Sequence, residues 1–244
     1  MLYLIGLGLN ENSITKEGLF AIDKCDEVYL EGYTVNFPYD IKELEKVLKK
    51  KIKVLEREKV ESDFITKEAK KKDIALLVYG SPLFATTHTS LLIELKKDKI
   101  KFKIIYNASI FDAIGETGLQ LYKFGKITSM PAWKENFTPN SFIDIVIENK
   151  NIDAHSLILV DIGLNFSEAL AQLEKSLKDK KLKIDKLIVC SNLGTKKSAV
   201  FYGKMEDLRK EKTRKKINSP YCFIIPSSLH FLEEEFMCYP EIIS

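Results

Sequence analysis

The sequence predicts an α/β protein with two α/β domains whose sheets are mostly parallel. Short apolar segments alternate along the chain with segments whose apolar residues recur every three or four positions. The apolar segments at 2–5, 74–79 and 156–161 are typical of strands buried on both sides of a parallel sheet. The alternation restarts after Gly125. We therefore expect one domain at residues 1–125 and a second at 126–244.

Within the first predicted domain, strands and helices alternate. Strands are expected at residues 2–5, 27–31, 53–55, 74–79 and 102–105. Helices are expected at residues 14–25, 41–50, 65–71, 87–97 and 109–122. Ser13 is a candidate N-cap of the first helix, and the last helix would contain Gly115 and Gly118. The segment YKFGK at 122–126 is interpreted as a hinge.

The second predicted domain has the same character. Strands are expected at residues 127–130, 156–161, 186–190, 199–203 and 222–225. Helices are expected at residues 141–148 and 167–177, with a loop at 133–140. Repeated β–α alternation favours parallel sheets that are covered by helices on both faces.

The charge of the chain is local rather than global. A formal net charge of +3 gives no overall field that would drive direct binding to nucleic acid. Lysine is concentrated at 175–186 and 204–216. Each stretch is either a solvated face or a basic surface for an acidic partner.

The cysteines, the apolar segments and the histidines narrow the expected compartment and the expected kind of site. The four cysteines lack CxxC spacing, which favours reduced thiols in a cytoplasmic protein. No apolar run reaches transmembrane length, and the first residues do not have the pattern of a signal peptide, so we expect no membrane association. The histidines are too scattered for a metal site, so no metal is expected; they are His88, His155 and His230. His155 is expected at the surface or as a cap.

Three predicted strands end in turns that suit a ligand. The turns lie at Gly6, Gly80 and Ala108, and they would line one edge of one sheet. Position 11 is Glu11, so the third glycine of a dinucleotide fingerprint is missing, and no P-loop occurs. Glycine lets a ligand approach the bare backbone, which favours a nucleoside-like ligand over a nicotinamide dinucleotide. Glycine turns without any ligand remain the alternative.

The order of several motifs resembles that of the diphthine synthases, within the tetrapyrrole-methylase-like class of S-adenosylmethionine methyltransferases. The motifs are MLYLIGLGL, GSPLFATTH, NASIFDAIGETGLQLYKFGK, ENFTPNSFIDIV, HSLILVDIG and PSSLHFLE. The resemblance implies two α/β domains with the cofactor S-adenosylmethionine in the cleft between them, S-adenosylhomocysteine as product, and a homodimer. Phe37 and Phe231 are candidate exposed apolar residues for the dimer interface. The implied partner is translation elongation factor two, methylated on the amino group of a modified histidine in diphthamide biosynthesis.

The resemblance also implies a set of cofactor contacts. Carried over by position in the motifs, they are Leu9, Ser81, Phe84, Ser109, Ile110, Val160, Leu193 and His230. The sequence departs from the family at Ser81, where the family usually has aspartate. It also shortens the segment after Asp161-Ile162, where the family usually has a longer basic loop.

Methyl transfer from a sulfonium needs positioning and exclusion of water more than a strong nucleophile. The amine that attacks must first lose its proton, and a base or a water path could help. Candidate bases are Glu31, Tyr33, His88, Glu116 and Asp161, and the sequence does not rank them. Two other functions stay open: methylation of a tetrapyrrole ring, and a non-catalytic nucleotide-binding scaffold.

Overall fold

The chain folds into two compact units, and the computed structural model describes residues 1–238. The first unit spans Met1–Ile110, and the second begins at Phe111. The α/β fold class is confirmed. No helix among residues 1–238 is long and apolar enough to cross a membrane. The cysteines, all within these residues, are free thiols.

The first unit is built on a five-stranded sheet in which every strand is parallel to its neighbours, in the order β3-β2-β4-β1-β5. Its strands are β1 (Leu2–Gly6), β2 (Glu27–Glu31), β3 (Lys53–Leu55), β4 (Ile74–Val78) and β5 (Phe102–Ile105). Its helices are α1 (Lys16–Lys24), α2 (Ile41–Leu48), α3 (Arg57–Val60), α4 (Phe64–Lys71) and α5 (Thr89–Lys97).

Both faces of this sheet are buried, as the apolar strands predict. Leu76 of β4 packs on one side with Ile65 of α4 and Leu95 of α5. Leu77, the next residue, packs on the other side with residues of α1 and α2, among them Ile22. Successive side chains of a strand point to opposite faces, so a strand covered on both faces must be apolar throughout.

The second unit has a mixed sheet, and here the expectation of mostly parallel pairing is wrong. Its strands are β6 (Thr128–Met130), β7 (Ser156–Val160), β8 (Leu187–Ser191), β9 (Ala199–Gly203) and β10 (Tyr221–Ile225), in the order β6-β7-β10-β8-β9. Only β6 and β7 pair in parallel. Residues 192–198 are too few for the crossover that a parallel β8–β9 pair would need.

The helices of the second unit are mostly short. They are α6 (Ile110–Ala113), which starts one residue before the unit does, α7 (Phe142–Asn151), α8 (Phe166–Asp179), α9 (Met205–Arg209), α10 (Glu211–Arg214) and α11 (Phe231–Met237). Val146 of α7 and Leu173 of α8 pack against Phe223 of β10 in the core of the unit. The sequence did not predict the helices α9, α10 and α11.

The predicted long helix at 109–122 is wrong. After α6 the chain tightens into a 3₁₀ helix at Ile114–Thr117, turns at Gly118 with φ +79°, and forms a second 3₁₀ helix at Leu121–Lys123. A left-handed residue ends a right-handed helix, and glycine adopts that conformation without a steric penalty.

The segment from Phe111 to Gly125 belongs to the second unit by its hydrogen bonds. The backbone N–H of Gly125 donates to the carbonyl of His155 at 3.0 Å, and the N–H of His155 donates to the carbonyl of Lys123 at 2.9 Å. The compact units therefore divide after Ile110. The sequence places the boundary at Gly125 because the β–α alternation restarts there.

The first helix begins two residues later than the sequence suggests. Thr15, not Ser13, is its N-cap, and its hydroxyl accepts from the N–H of Gly18 at 3.0 Å. The Ser13 hydroxyl instead accepts from the N–H of Asn10 at 3.3 Å, inside the turn that follows β1.

Candidate functional site

Three turns of the first unit meet at one edge of its sheet. The strands β4, β1 and β5 are neighbours and run in parallel, so their carboxyl ends lie side by side. Gly8 and Gly80 exchange two backbone hydrogen bonds, at 3.1 and 2.9 Å. The side-chain amide of Asn107 donates to the carbonyls of Gly6 and Ser13 at 3.1 and 3.0 Å. Open α/β sheets bind their ligands at this kind of edge.

Glycine is required where two of these turns touch. Gly8 and Gly80 have φ values of +73° and +70°, which most residues with a side chain avoid. A Cβ on Gly6 would lie 2.6 Å from the carbonyl oxygen of Gly80. The glycines therefore allow the turns to meet backbone to backbone.

The sequence-predicted contacts of the first unit all lie on these turns. Leu9 and Ser109 are buried, whereas Ser81, Phe84 and Ile110 are partly exposed. Leu9 is held by the hydroxyl of Tyr79, which donates to its carbonyl at 3.0 Å.

The Tyr79 ring lies 5.4 Å from that of Phe37 and 6.4 Å from that of Tyr39. Phe37 also packs edge-to-face on Tyr39. The expectation that Phe37 is exposed is therefore wrong.

The predicted contacts of the second unit do not all lie together. Val160 ends β7 and Leu193 follows β8; both strands run antiparallel to β10, so the two residues lie at the same sheet edge. His230 follows β10, which ends at the opposite edge. His230 is the N-cap of α11, where its ring accepts from the N–H of Leu232.

A cavity of about 410 Å³ also lies at the edge where β10 ends and β7 begins. Its lining includes Lys150, Lys183, Lys186 and Ser227. Part of the basic stretch at 175–186 therefore borders a cavity rather than forming only a solvated helix face. Lys186 lies over the ring of Tyr202, with its ammonium 4.6 Å from the centroid.

His155 is not at the surface, contrary to expectation, because it is fully buried beside Glu233. Its Nε2 lies 3.2 Å from Oε1 of Glu233, and its Nδ1 accepts from the N–H of Ser227 at 3.0 Å. An Nδ1 that accepts carries no proton, so the ring is neutral and donates through Nε2. Burial lowers the pKa of His155, and this outweighs the attraction of Glu233.

Glu233 accepts from three further donors. They are the backbone N–H groups of Gln120 and His230, both at 2.8 Å, and the Lys123 ammonium at 3.0 Å. Burial alone would raise the pKa of this carboxyl, but the four donors together lower it to about 2. The spacing of His230 and Glu233 is that of a capping box, and this signal in the sequence could have revealed the buried acid.

Glu31 and His88 form a second buried pair, in the first unit. Their side chains are 0% and 2% exposed, and His88 Nε2 lies 2.6 Å from Glu31 Oε2. His88 precedes α5, but its side chain makes no cap hydrogen bond with that helix. Its Nδ1 lies instead 3.0 Å from the carbonyl oxygen of Pro82.

Two of the other candidate bases hold loops in place. Glu116 accepts from the N–H of Gly194 at 3.2 Å and from the hydroxyl of Ser198 at 2.7 Å. Asp161 accepts from the N–H groups of Ala132 and Ile162 at 2.9 Å. Both carboxylates are exposed, which sets them apart from Glu31 and His88.

The groups at this edge of the first sheet suit the binding and positioning of a ligand. Among residues 1–238, no three histidine, cysteine, aspartate or glutamate side chains come together in a way that could hold a metal ion. The edge of the first sheet offers backbone amides and carbonyls, small polar groups at Ser81 and Ser109, and the ring of Phe84. Such an edge can bind a ligand with a flat ring and several hydroxyl groups.

Comparison with known proteins identifies the family. The chain matches the Tetrapyrrole (Corrin/Porphyrin) Methylases over residues 1–209. It is 38% identical to a diphthine synthase of Methanococcus maripaludis over 98% of both chains. It is 46% identical to a diphthine methyl ester synthase of Schizosaccharomyces pombe over 66% of this chain and 58% of that one. A crystal structure of diphthine synthase superposes with a TM-score of 0.86 at 29% identity, covering 99% of this chain and 95% of that one. The chain therefore belongs to the tetrapyrrole methylase family and, within it, to the diphthine synthases, and it is a methyltransferase.

Proposed function

We propose that this methyltransferase uses S-adenosylmethionine to methylate the amino group of the modified histidine intermediate on translation elongation factor two, a step of diphthamide biosynthesis. The observation that carries the proposal is the meeting of three turns at one edge of an all-parallel sheet, in a chain whose full-length relatives are diphthine synthases. An elongation factor as substrate rests on the resemblance of the sequence motifs.

The proposed cofactor contacts in the first unit are Leu9, Ser81, Phe84, Ser109 and Ile110. The residues present fit the group, because Gly8 and Gly80 leave the backbone of two adjoining turns without side chains. The partly exposed ring of Phe84 offers an apolar face to an adenine, and Ser81 a small polar group to a hydroxyl. Val160, Leu193 and His230 remain predictions for the second unit.

Mapping by hydrogen exchange tests these contacts. Saturation with S-adenosylhomocysteine should slow amide exchange in the turns that follow β1, β4 and β5. Protection confined to other segments would reject the assignment.

The chain's own residues have three tasks in this reaction. S-adenosylmethionine, when bound, supplies a methyl group that is already activated for in-line displacement. The protein must hold it, exclude water, and accept or relay the proton that the substrate amine loses. Glu31 and His88 are too buried and too close to each other to touch the modified histidine of the substrate protein. Among the candidate bases, Glu116 and Asp161 are the exposed carboxylates.

The decisive assay is incubation with radiolabelled S-adenosylmethionine and an elongation factor that carries the unmethylated intermediate. Label should enter the factor, and the same factor with an unmodified histidine should stay unlabelled. No transfer to the intermediate would reject the proposed substrate. Binding of S-adenosylmethionine without any transfer would favour the scaffold, and transfer to a tetrapyrrole would favour the alternative enzyme.

A methyl ester product is a second candidate, and the name of the fission yeast relative favours it. An ester requires methylation of a carboxyl group in addition to the amine. The two products differ chemically, because mild alkali hydrolyses an ester and leaves an N-methyl group intact. Release of part of the label as methanol at high pH would identify the ester, and retention of all of the label would identify the product that is methylated on the amine alone.

The resemblance further supports a cytoplasmic homodimer. Phe231 is 68% exposed in the single chain and remains a candidate interface residue. Light scattering at micromolar concentration should give twice the chain mass of 28.0 kDa. A mass of one chain would reject the homodimer.

A further inference from the structure

The Glu31–His88 pair joins two distant parts of the first unit. Glu31 ends β2, and His88 ends the segment that leads from β4 to α5. This segment, residues 79–88, carries two of the proposed cofactor contacts, Ser81 and Phe84. The pair thus connects the interior strand β2 to the turn that follows β4.

The hydrogen-bonding groups around His88 fix where its protons lie. A carbonyl oxygen only accepts, so Nδ1, 3.0 Å from the oxygen of Pro82, must carry a proton. Nε2 lies 2.6 Å from Oε2 of Glu31, and two deprotonated atoms would repel each other at that distance, so the pair holds one further proton. The pair is either an imidazolium with a carboxylate or a neutral imidazole with a carboxylic acid. In both forms His88 donates to Pro82.

Stability alone does not account for a buried Glu31–His88 pair with this geometry. The contact between Nε2 and Oε2 is short but not aligned as a hydrogen bond, and Oε1 of Glu31 has no hydrogen-bond partner among residues 1–238. Within the same residues, the buried hydroxyl of Tyr33 also has no partner. Apolar residues of similar volume are often at least as stabilising as a buried ion pair. Two further charged groups act on the pKa values of these residues: Glu61 on both His88 and Tyr33, and Arg57 on Tyr33.

The segment that His88 holds is under local strain. Ala85 has φ +53°, a left-handed conformation that is uncommon for a residue with a side chain. Such a conformation persists only where surrounding contacts determine it. The carbonyl of Pro82 receives two side-chain contacts, from His88 Nδ1 at 3.0 Å and from the Thr86 hydroxyl at 3.2 Å. Pro82 is buried and lies between Ser81 and Phe84.

We propose that Glu31 and His88 are positioning residues for cofactor binding: Glu31 orients the His88 ring, and His88 holds the carbonyl of Pro82 so that Ser81 and Phe84 face the cofactor. The proposal rests on the proposed function and adds to it two residues that touch neither cofactor nor substrate.

Two conservative substitutions separate the two bonds of His88. In His88→Gln, the side-chain amide can still reach Glu31 but cannot reach Pro82. In Glu31→Gln, the new amide can donate to Nε2 of a neutral His88, and the bond to Pro82 is kept. The double variant Glu31→Gln/His88→Asn replaces Nδ1 by an asparagine amide and so restores the contact with Pro82. Tyr29→Phe is the control. Tyr29 lies in the same strand as Glu31, and the substitution removes the hydrogen bond from its hydroxyl to Glu68 in α4.

Titration calorimetry with S-adenosylhomocysteine, together with urea denaturation of each variant, tests the proposal. We expect His88→Gln to bind at least tenfold more weakly, and both Glu31→Gln and the double variant to bind within threefold of the parent chain. Tyr29→Phe should lose stability without losing affinity. Equal affinity in His88→Gln and the parent would overturn the positioning role, and so would equal weakening in His88→Gln and the double variant. Failure of the parent chain to bind would instead reject the proposed function, and this inference with it.

Discussion

His88 and His155 show how neighbouring groups decide the charge of a buried imidazole. Burial by itself would lower the pKa of both rings. At His88 the acceptors Glu31 and Pro82 face the two nitrogens, and together they raise the pKa above its ordinary value. At His155 one nitrogen accepts from a backbone N–H, and Lys123 adds repulsion, so the pKa falls. The residue type and its burial are alike, and the difference arises from the hydrogen-bond partners.

Glu233→Gln should destabilise the protein by roughly 3 kcal/mol, because breaking a buried charge network leaves donors without an acceptor. The carboxylate accepts four donors, and a glutamine would point its own N–H₂ group at some of them. Urea denaturation at pH 7 measures the loss. Glu234→Gln is the matched control, since Glu234 is the next residue and is exposed. Its effect should stay within about 0.5 kcal/mol, and an equal loss in both variants would contradict the role of the network.

Ser81→Asp should tighten the binding of S-adenosylmethionine or leave it unchanged. A carboxylate can accept charge-assisted bonds from the cofactor's ammonium or hydroxyl groups, worth roughly 1.5–3 kcal/mol against about 1 for a neutral pair. The positive end of α5, which begins at Thr89, would tolerate the added anion.

Calorimetry on the folded variant decides. Ser90→Asp is the control, because it adds the same charge at an exposed position of α5. A loss of affinity greater than tenfold in Ser81→Asp alone would mean that position 81 faces the cofactor's carboxylate.

At the scale of single elements, the segment at 110–123 shows a limit of sequence periodicity. The sequence predicted one long helix here, at residues 109–122. Two glycines lie inside the segment, and they differ in backbone conformation and in surroundings. Gly115 is exposed in the first 3₁₀ helix with an ordinary φ, whereas Gly118 is left-handed and faces the ring of Phe236 in α11. The α-helix ends at Ala113, and the 3₁₀ helix after it ends at the left-handed Gly118, whose contact with Phe236 no local pattern reveals.

Alanine substitutions at three glycines should separate the effect of backbone strain from that of the contact with Phe236. Gly118→Ala should destabilise the protein by about 2 kcal/mol or more, because a left-handed alanine is strained and its Cβ would meet Phe236. Gly163 has the same φ of +79° in open space, so Gly163→Ala should show the backbone strain alone, about 1 kcal/mol. Gly115→Ala should be neutral or stabilising by up to about 1 kcal/mol. Thermal and urea denaturation give the order, and a loss at Gly115 equal to that at Gly118 would refute this explanation.

At the scale of the whole molecule, the sequence predicts best what repeats locally. The strand bounds at 27–31 and 53–55 agree with the structure, because their apolar pattern and flanking turns are local. The shared edge of the three turns was also predictable, since parallel strands end on the same side. The order of the second sheet was not, because the direction of β10 between β7 and β8 depends on long-range pairing. The burial of His155 likewise depends on Glu233, which lies 78 residues away.

The pH dependence of stability should combine these buried groups with opposite signs. His155 has a lowered pKa, so the unfolded chain binds more protons below pH ~6.5, and stability falls as the pH drops through that region. His88 has a raised pKa, so its contribution is complete below pH ~6.5 and is lost as the pH rises through the folded-state value. The two effects act on opposite sides of pH ~6.5, so their sum should give a maximum of stability near that pH.

Below that region Glu233 should dominate. Its pKa is lowered from 4.5 to about 2, so its contribution is complete above pH ~4.5 and is lost as the pH falls toward 2. A shift of this size corresponds to roughly 3 kcal/mol. The free energy of unfolding, measured by urea denaturation from pH 8 to 2.5, should therefore fall most steeply below pH ~4.5. Glu233→Gln should start lower at pH 7 and approach the parent as the pH falls, whereas Glu234→Gln should follow the parent throughout. A constant difference between Glu233→Gln and the parent across this range would show that the substitution acts through packing and not through the ionised carboxylate.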